Sequence, residues 1–241
     1  MSEEQKYSEQ GEVSLLGNTK FGKWLDNFWY HYKVQTLIVI GLLVVVAICI
    51  GQCAARPGHP DAYLCYAGAK DIRPTSQNTT ALDMETSLEG QINGALGMEG
   101  ASATVFHYLI VPGSENATTQ NLSLTNIETL KAQLDVAGSY IYLLDPILYN
   151  TYTVTAGGAH YMTEVAPYLK DGSTVELTPD GRGVYLGSTP LYALPGFSNL
   201  PYDTVLCLRI EFTISGSMTA KEREKFYDKQ EQIFSYMINN Q

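Results

Sequence analysis

Asp61-Ala-Tyr-Leu-Cys-Tyr-Ala67, stopped by Gly68, is the stretch whose reading decides the fold. A short, nearly continuous apolar and aromatic run bounded by turn signals reads as a buried strand. The same signal returns twice. Ser102 to Val111, with Ala-Thr-Val-Phe-His-Tyr-Leu-Ile-Val, stops at Pro112-Gly113, and Tyr140-Ile-Tyr-Leu-Leu144 closes at Asp145-Pro146. Between the first two runs, Leu82 to Leu96 fits a helix. Ala81, Met84, Leu88, Ile92 and Ala95 share one face, and Gly90 and Gly94 weaken it. Between the second and third runs, Thr125-Asn-Ile-Glu128 has the form of a capping box. Ile127, Leu130, Leu134 and Ala137 follow as a buried face, and Gly138 is the stop. Strand, helix, strand, helix, strand is the pattern of a parallel sheet covered by helices. Right-handed crossovers then place the first strand between the other two. The predicted class is α/β: one outer domain with a three-layer, mostly parallel sheet behind a single transmembrane helix.

Beyond Asp145 the alternation stops. Ile147 to Tyr152 is expected to form a helical turn, and Met162 to Leu169 a short segment interrupted by Pro167. Thr174 to Leu177 and Gly183 to Leu186 read as two short strands around the turn Pro179-Asp180-Gly181. Thr204 to Ile214 reads as a long strand with Leu206, Leu208, Ile210 and Phe212 on one side. Thr219-Ala-Lys-Glu222 is a second capping box, opening a helix with Phe226, Ile233, Phe234 and Met237 as its buried stripe.

Toward the N-terminus, Val34 to Ile50 carries no charge and no proline. As a helix it spans roughly 26 Å at ~1.5 Å per residue, and Tyr32 with Gly51 to Ala54 extend it to the ~30 Å of a bilayer core. Lys20, Lys23 and Lys33 precede the run, while Arg56 stands alone after it until Lys70. That bias predicts a cytoplasmic N-terminus and an outer C-terminal domain. A cleaved signal is the competing reading. The 33 residues ahead of the run and its length both favour a retained signal-anchor. Phe21, Trp24, Leu25, Phe28, Trp29 and Tyr32 form one apolar stripe at steps of three and four, the signature of an amphipathic helix at the membrane interface. The expected organisation is a disordered tail over 1–17, a juxtamembrane helix over 18–33, the span over 34–54, a Pro/Gly linker over 55–60 and the α/β domain over 61–241. The lipid bilayer is the expected partner of residues 18–54.

The head is neutral, with five acids and five bases through residue 56; the remaining 20 acids and 10 bases give the outer domain the whole formal charge of −10. That sign argues against nucleic acid, whose phosphates call for clustered Lys and Arg. Of four cysteines, Cys49 and Cys53 lie in or beside the span, and Cys65 and Cys207 lie in strand-like runs. Two buried thiols or a disulfide both fit the latter pair. No Cys/His spacing suits zinc, no metal or cofactor is expected, and no nucleophile elbow or phosphate loop is present. His107 sits in an apolar strand and reads as a core residue, and His160 lies in a loop.

The segment order from 61 to 238 resembles one lobe of a bacterial extracellular solute-binding protein. The resemblance is carried by Tyr-Ile-Tyr-Leu-Leu-Asp145, by Glu164-Val-Ala-Pro-Tyr-Leu-Lys-Asp171 and by Gly183-Val-Tyr-Leu-Gly-Ser-Thr-Pro-Leu191. The head is similar to single-span membrane proteins of Gram-positive bacteria. The resemblance implies an outer domain that captures a ligand, with length here for one lobe of the two such proteins use. In open α/β sheets ligands bind beyond the carboxyl ends of the strands, where the strand order reverses. That crevice would be lined by Tyr66, Gly68, Lys70, Asp145 and Tyr149. The competing reading has Asp145 capping a turn and Lys70 solvated. The expected function is non-catalytic binding of a small molecule or a neighbouring membrane protein. The alternatives are a structural or assembly subunit and a surface hydrolase, which would need a carboxylate pair facing one sugar. Three sequons, at Asn78, Asn116 and Asn121, read as chance matches beside a bacterial-type resemblance.

Overall fold

The computed structural model describes residues 20–54, 60–155, 157–211 and 219–239. Its contacts divide the chain into two units between Gly58 and His59.

The described part of the first unit is one helix, α1, Lys20–Ala54. Its 35 residues correspond to ~52 Å at ~1.5 Å each. Nothing interrupts it where the juxtamembrane segment meets the span, because Tyr32-Lys33-Val34 contains neither Pro nor Gly. The stretch apolar and long enough to cross a bilayer runs from Phe28 to Cys49, so it starts six residues ahead of Val34. Trp24, Phe28 and Tyr32 stack in succession, with ring centroids 5.5 and 5.2 Å apart. That is the contact an i, i+4 spacing produces on a helix.

The second unit is a mixed α/β domain. Its strands are β1 (Ala62–Gly68), β2 (Ala103–Leu109), β3 (Ile141–Leu144), β4 (Val184–Tyr185) and β5 (Val205–Leu208). Its helices are α2 (Thr80–Leu96), α3 (Ala117–Val136), α4 (Pro146–Tyr152) and α5 (Ala220–Asn239). The sheet order is β2-β1-β3-β5-β4, with β1 between β2 and β3 and with α2 and α3 packed on opposite faces. β1 pairs parallel with both neighbours, and β5 runs antiparallel to β3 and β4. Four of the five strands therefore share one direction.

Alternation along the strands divides the core in two. Leu64 and Tyr66 of β1, Ile141 and Leu143 of β3, and Leu206 and Leu208 of β5 pack with Met84, Leu88 and Ile92 of α2 and Ile233, Phe234 and Met237 of α5. Their neighbours Cys65, Ala67, Tyr142, Leu144, Val205 and Cys207 pack instead with Leu130 and Leu134 of α3 and Leu148 and Tyr149 of α4. β1 and β3 are buried on both faces, which needs unbroken apolar sequence, whereas the outer strand β2 is mostly half-buried. Each fully buried Leu or Ile contributes about 1.5–3 kcal/mol.

Several boundaries differ from the sequence reading. α3 begins at Ala117, where Asn116 Oδ1 accepts the amides of Thr118 (2.9 Å) and Thr119 (3.2 Å). Thr125 is not a cap: it lies two turns inside α3, with its hydroxyl on the Asn121 carbonyl. Asn116 is itself a good N-cap, and contacts remote in sequence hold the first turns of α3. The Val111 amide donates to Ser123 Oγ at 3.0 Å, and Asn126 Nδ2 donates to the Leu109 carbonyl at 2.8 Å. α3 ends on Ala137 at φ 53°, one residue before Gly138. The two strands expected around Asp180 reduce to β4 and a single bridge from Leu177 to Val184. The long strand expected from Thr204 shortens to β5. Phe212 to Ile214 lie outside the described residues. The second capping box forms as read: the Thr219 amide donates to Glu222 Oε2 at 2.8 Å, and the Glu222 amide to Thr219 Oγ1 at 3.3 Å.

Register settles the cysteine pair. Cys65 is opposite Tyr142, which is opposite Cys207. Two strand spacings of ~4.8 Å put their Cα atoms roughly 10 Å apart, beyond the ~7 Å reach of a disulfide. Both are free, buried thiols.

Candidate functional site

The carboxyl ends of β1 and β3 meet where the strand order reverses. The Asp145 amide donates to the Ala67 carbonyl across that junction, and on the β2 side of β1 the Ile110 amide donates to the Gly68 carbonyl, both at 2.9 Å. The Tyr66 side chain lies over the junction, 1% exposed, with its hydroxyl accepting the Lys70 amide at 3.3 Å. A Cβ on Gly68 would lie 2.7 Å from that hydroxyl, so glycine is what lets the phenol turn back over the strand end. Burial pushes the Tyr66 pKa up to about 12; the Lys70 amide opposes the shift, and the charges of Asp145 and Asp71 add to it. The phenol is therefore neutral at physiological pH. Asp145 Oδ1 accepts the Ile147 amide at 2.9 Å and caps α4. Lys70 is exposed. Four of the five residues expected in the crevice thus gather at the end of β1. His107, opposite Tyr66 in register, joins them with a buried Nδ1 that has no hydrogen-bond partner.

The fifth residue lies elsewhere. Tyr149 packs in the core on the other face of the sheet. Its hydroxyl donates to Asp180, 2.9 Å from each carboxylate oxygen, and Thr178 Oγ1 donates to the same carboxylate at 2.6 Å. Burial opposes ionisation of Asp180, but hydrogen bonds from Thr178, the Arg182 amide and Tyr149 outweigh it and hold the carboxyl below its ordinary range. Arg182 extends the cluster by donating to the Met162 carbonyl (2.7 Å) and Glu164 (3.0 Å). These bonds fasten the irregular segment between α4 and β4 to α4 and to itself.

Sequence reasoning passed over two further features. Arg209, read as part of a strand, is 1% exposed. Its Nε donates to the Leu134 carbonyl at 2.7 Å, its Nη1 to the Ile210 carbonyl at 2.9 Å, and its guanidinium lies 5.6 Å from the Tyr161 ring centroid. A basic residue in an apolar run was the available signal. The other is a groove of about 480 Å³ between the turn at Lys170–Val175, the segment Ser188–Pro190 and the end of α5. Its walls are braced. Asn239 Oδ1 accepts the Lys170 amide (2.9 Å), Asn239 Nδ2 donates to the Tyr168 carbonyl (2.7 Å), and Ser188 Oγ accepts the Glu176 amide (2.8 Å). Gly172 at φ 80° turns the loop back toward α5. Lys170, Asp171, Ser173 and Thr174 face water there, over a floor that includes buried Ile238. One cation, one anion and two hydroxyls in a mostly polar lining can hydrogen-bond a small polar molecule.

Among the described residues no group of three or more His, Cys, Asp or Glu is placed to hold a metal ion. The sequon asparagines have structural duties or helical positions. Asn78 Nδ2 donates to the Asp71 carbonyl, Asn116 caps α3, and Asn121 lies within α3. No family model, curated protein or solved structure matches this chain at a significant level.

Proposed function

We propose that the chain is a single-pass membrane protein with a cytoplasmic N-terminus, whose outer domain binds a small polar molecule or a neighbouring protein without catalysis. On this reading the sheet and its helices form a three-layer domain resembling one lobe of a solute-binding protein. The membrane half of the proposal is supported by a helix long and apolar enough to span a bilayer and by the Lys bias ahead of it. The observation that carries the binding half is the groove beside Lys170, whose volume falls within the ~300–1,000 Å³ of small-molecule sites. With Tyr66 lying over the strand-end junction, the groove is the better candidate for the ligand.

The test is calorimetric titration of the full-length protein in nanodiscs with amino acids, sugars and short peptides, for wild type, Lys170→Gln and Asp171→Asn. One ligand class binds, and each variant weakens it by roughly tenfold, about 1.4 kcal/mol. Absence of heat with every class sinks the small-molecule half. A second reading, an assembly subunit docked through its head, is favoured by the exposed Trp24 and Trp29 on α1. Co-purification of membrane partners that vanishes on deletion of residues 1–33 supports it.

A further inference from the structure

β2 is the outer strand on one side of the sheet. From Ala103 to Val111 it has no charge and no proline and is rich in β-branched and aromatic residues. An uncharged strand of that composition with a bare edge is a template for pairing with a second copy of itself. Half-buried aromatic surface lies beside it, where Tyr63 and Phe106 stack at 5.6 Å and Tyr108 is partly exposed.

The edge is not bare. The Val105 amide points away from β1 and donates to Glu85 Oε1 of α2 at 2.9 Å. The Leu109 carbonyl, on the same outer side, accepts Asn126 Nδ2 of α3 at 2.8 Å. The two side chains come from different helices and seize groups four residues apart, ~13 Å along the strand at ~3.3 Å per residue. An incoming strand needs successive outward groups, and these clamps leave only the stretch around His107 between them. The Glu85 carboxylate also sets a negative charge against the same charge on a second copy.

We infer that Glu85 and Asn126 close the β2 edge and that a second copy of this chain, pairing β2 to β2, is the association they prevent. For a domain held at a membrane surface, where neighbours are concentrated in two dimensions, such pairing is the nearest hazard. The edge uses polar side chains because it carries no charge of its own.

The test compares full-length wild type with the double variant Glu85→Ala/Asn126→Ala in detergent, by light-scattering mass and amide hydrogen exchange. The double variant gains a concentration-dependent species of twice the wild-type protein mass, and its His107 and Leu109 amides slow by roughly tenfold or more as that species accumulates. Adding Phe106→Lys to the double variant returns it to the wild-type mass. Glu85→Gln, which keeps the acceptor oxygen, keeps the wild-type mass. A folded double variant that stays at the wild-type mass over the same concentrations overturns the inference. If the double variant does not fold, the wild-type protein decides: the Val105 amide exchanges more slowly than the His107 amide, and equal rates overturn the inference.

Discussion

Replacing Gly68 with alanine tests whether Tyr66 occupies the strand-end junction. The added Cβ lies 2.7 Å from the Tyr66 hydroxyl oxygen and 3.1 Å from Cζ, both inside contact distance. Gly68 has no positive φ, so the substitution brings no backbone strain, and the steric effect stands alone. Overpacking of this kind costs about 1–3 kcal/mol, against a gain of at most ~0.5–1 kcal/mol from replacing a strand glycine. The net expectation is a loss of about 1–2 kcal/mol. For a domain of this size that is a fall of roughly 2–8 °C in Tm. Tyr66→Phe alone removes one weak hydrogen bond and costs about 0.5–1 kcal/mol. In the double variant the nearest clashing atom is gone, so Gly68→Ala costs about 1 kcal/mol less than it does beside tyrosine. The assay is thermal and urea unfolding of all four proteins followed by circular dichroism. If Gly68→Ala melts with wild type, or costs the same in both backgrounds, the phenol does not fill the space above Gly68. The crevice then returns as the leading ligand site.

Three further outcomes follow from the described geometry. Burial raises the pKa of Cys65, Cys207, Tyr142 and Tyr149 above their ordinary values of 9 and 10. The unfolded chain therefore releases these protons before the folded one, and stability is fully present below pH 9 and falls as pH rises past 9 and then 10; urea midpoints measured from pH 7 to 11 check it, and a flat profile refutes it. Arg209→Ala removes a buried guanidinium that holds the end of α3 through the Leu134 carbonyl. It is expected to cost about 3 kcal/mol or more, roughly 6 °C or more in Tm, with Arg209→Lys recovering only part because lysine lacks the planar fork. Cys65 and Cys207 remain reduced under mild oxidant, read by intact mass after alkylating the denatured protein; a linkage between them would contradict the register through Tyr142.

Four aspects of the molecule were legible in residue order because each depends on near neighbours. An uncharged apolar run can satisfy its backbone in lipid only as a helix, and Val34 to Ile50 lies within α1. The runs at Asp61, Ser102 and Tyr140, with helical periodicity between them, pointed to a parallel sheet, and β1 pairs in parallel with both β2 and β3. Thr219 and Glu222 cap α5 because the capping box is a contact within one turn. Asp145 before Pro146 caps α4 for the same local reason.

Contacts between distant parts of the chain decided everything else. α3 starts at Ala117, ahead of Thr125, because Leu109 at the end of β2 and Val111 just after it bond to Asn126 and Ser123, a choice no local motif ranks. Tyr149 faces Asp180, on the opposite side of the sheet from Tyr66, because strand and helix geometry fix the side a residue takes only once the register is set. The groove joins Lys170 to Asn239, 69 residues apart. Periodicity in the sequence names which residues seek burial; which partners they meet, and which polar groups are left facing water around a cavity, is determined only when the chain has closed on itself.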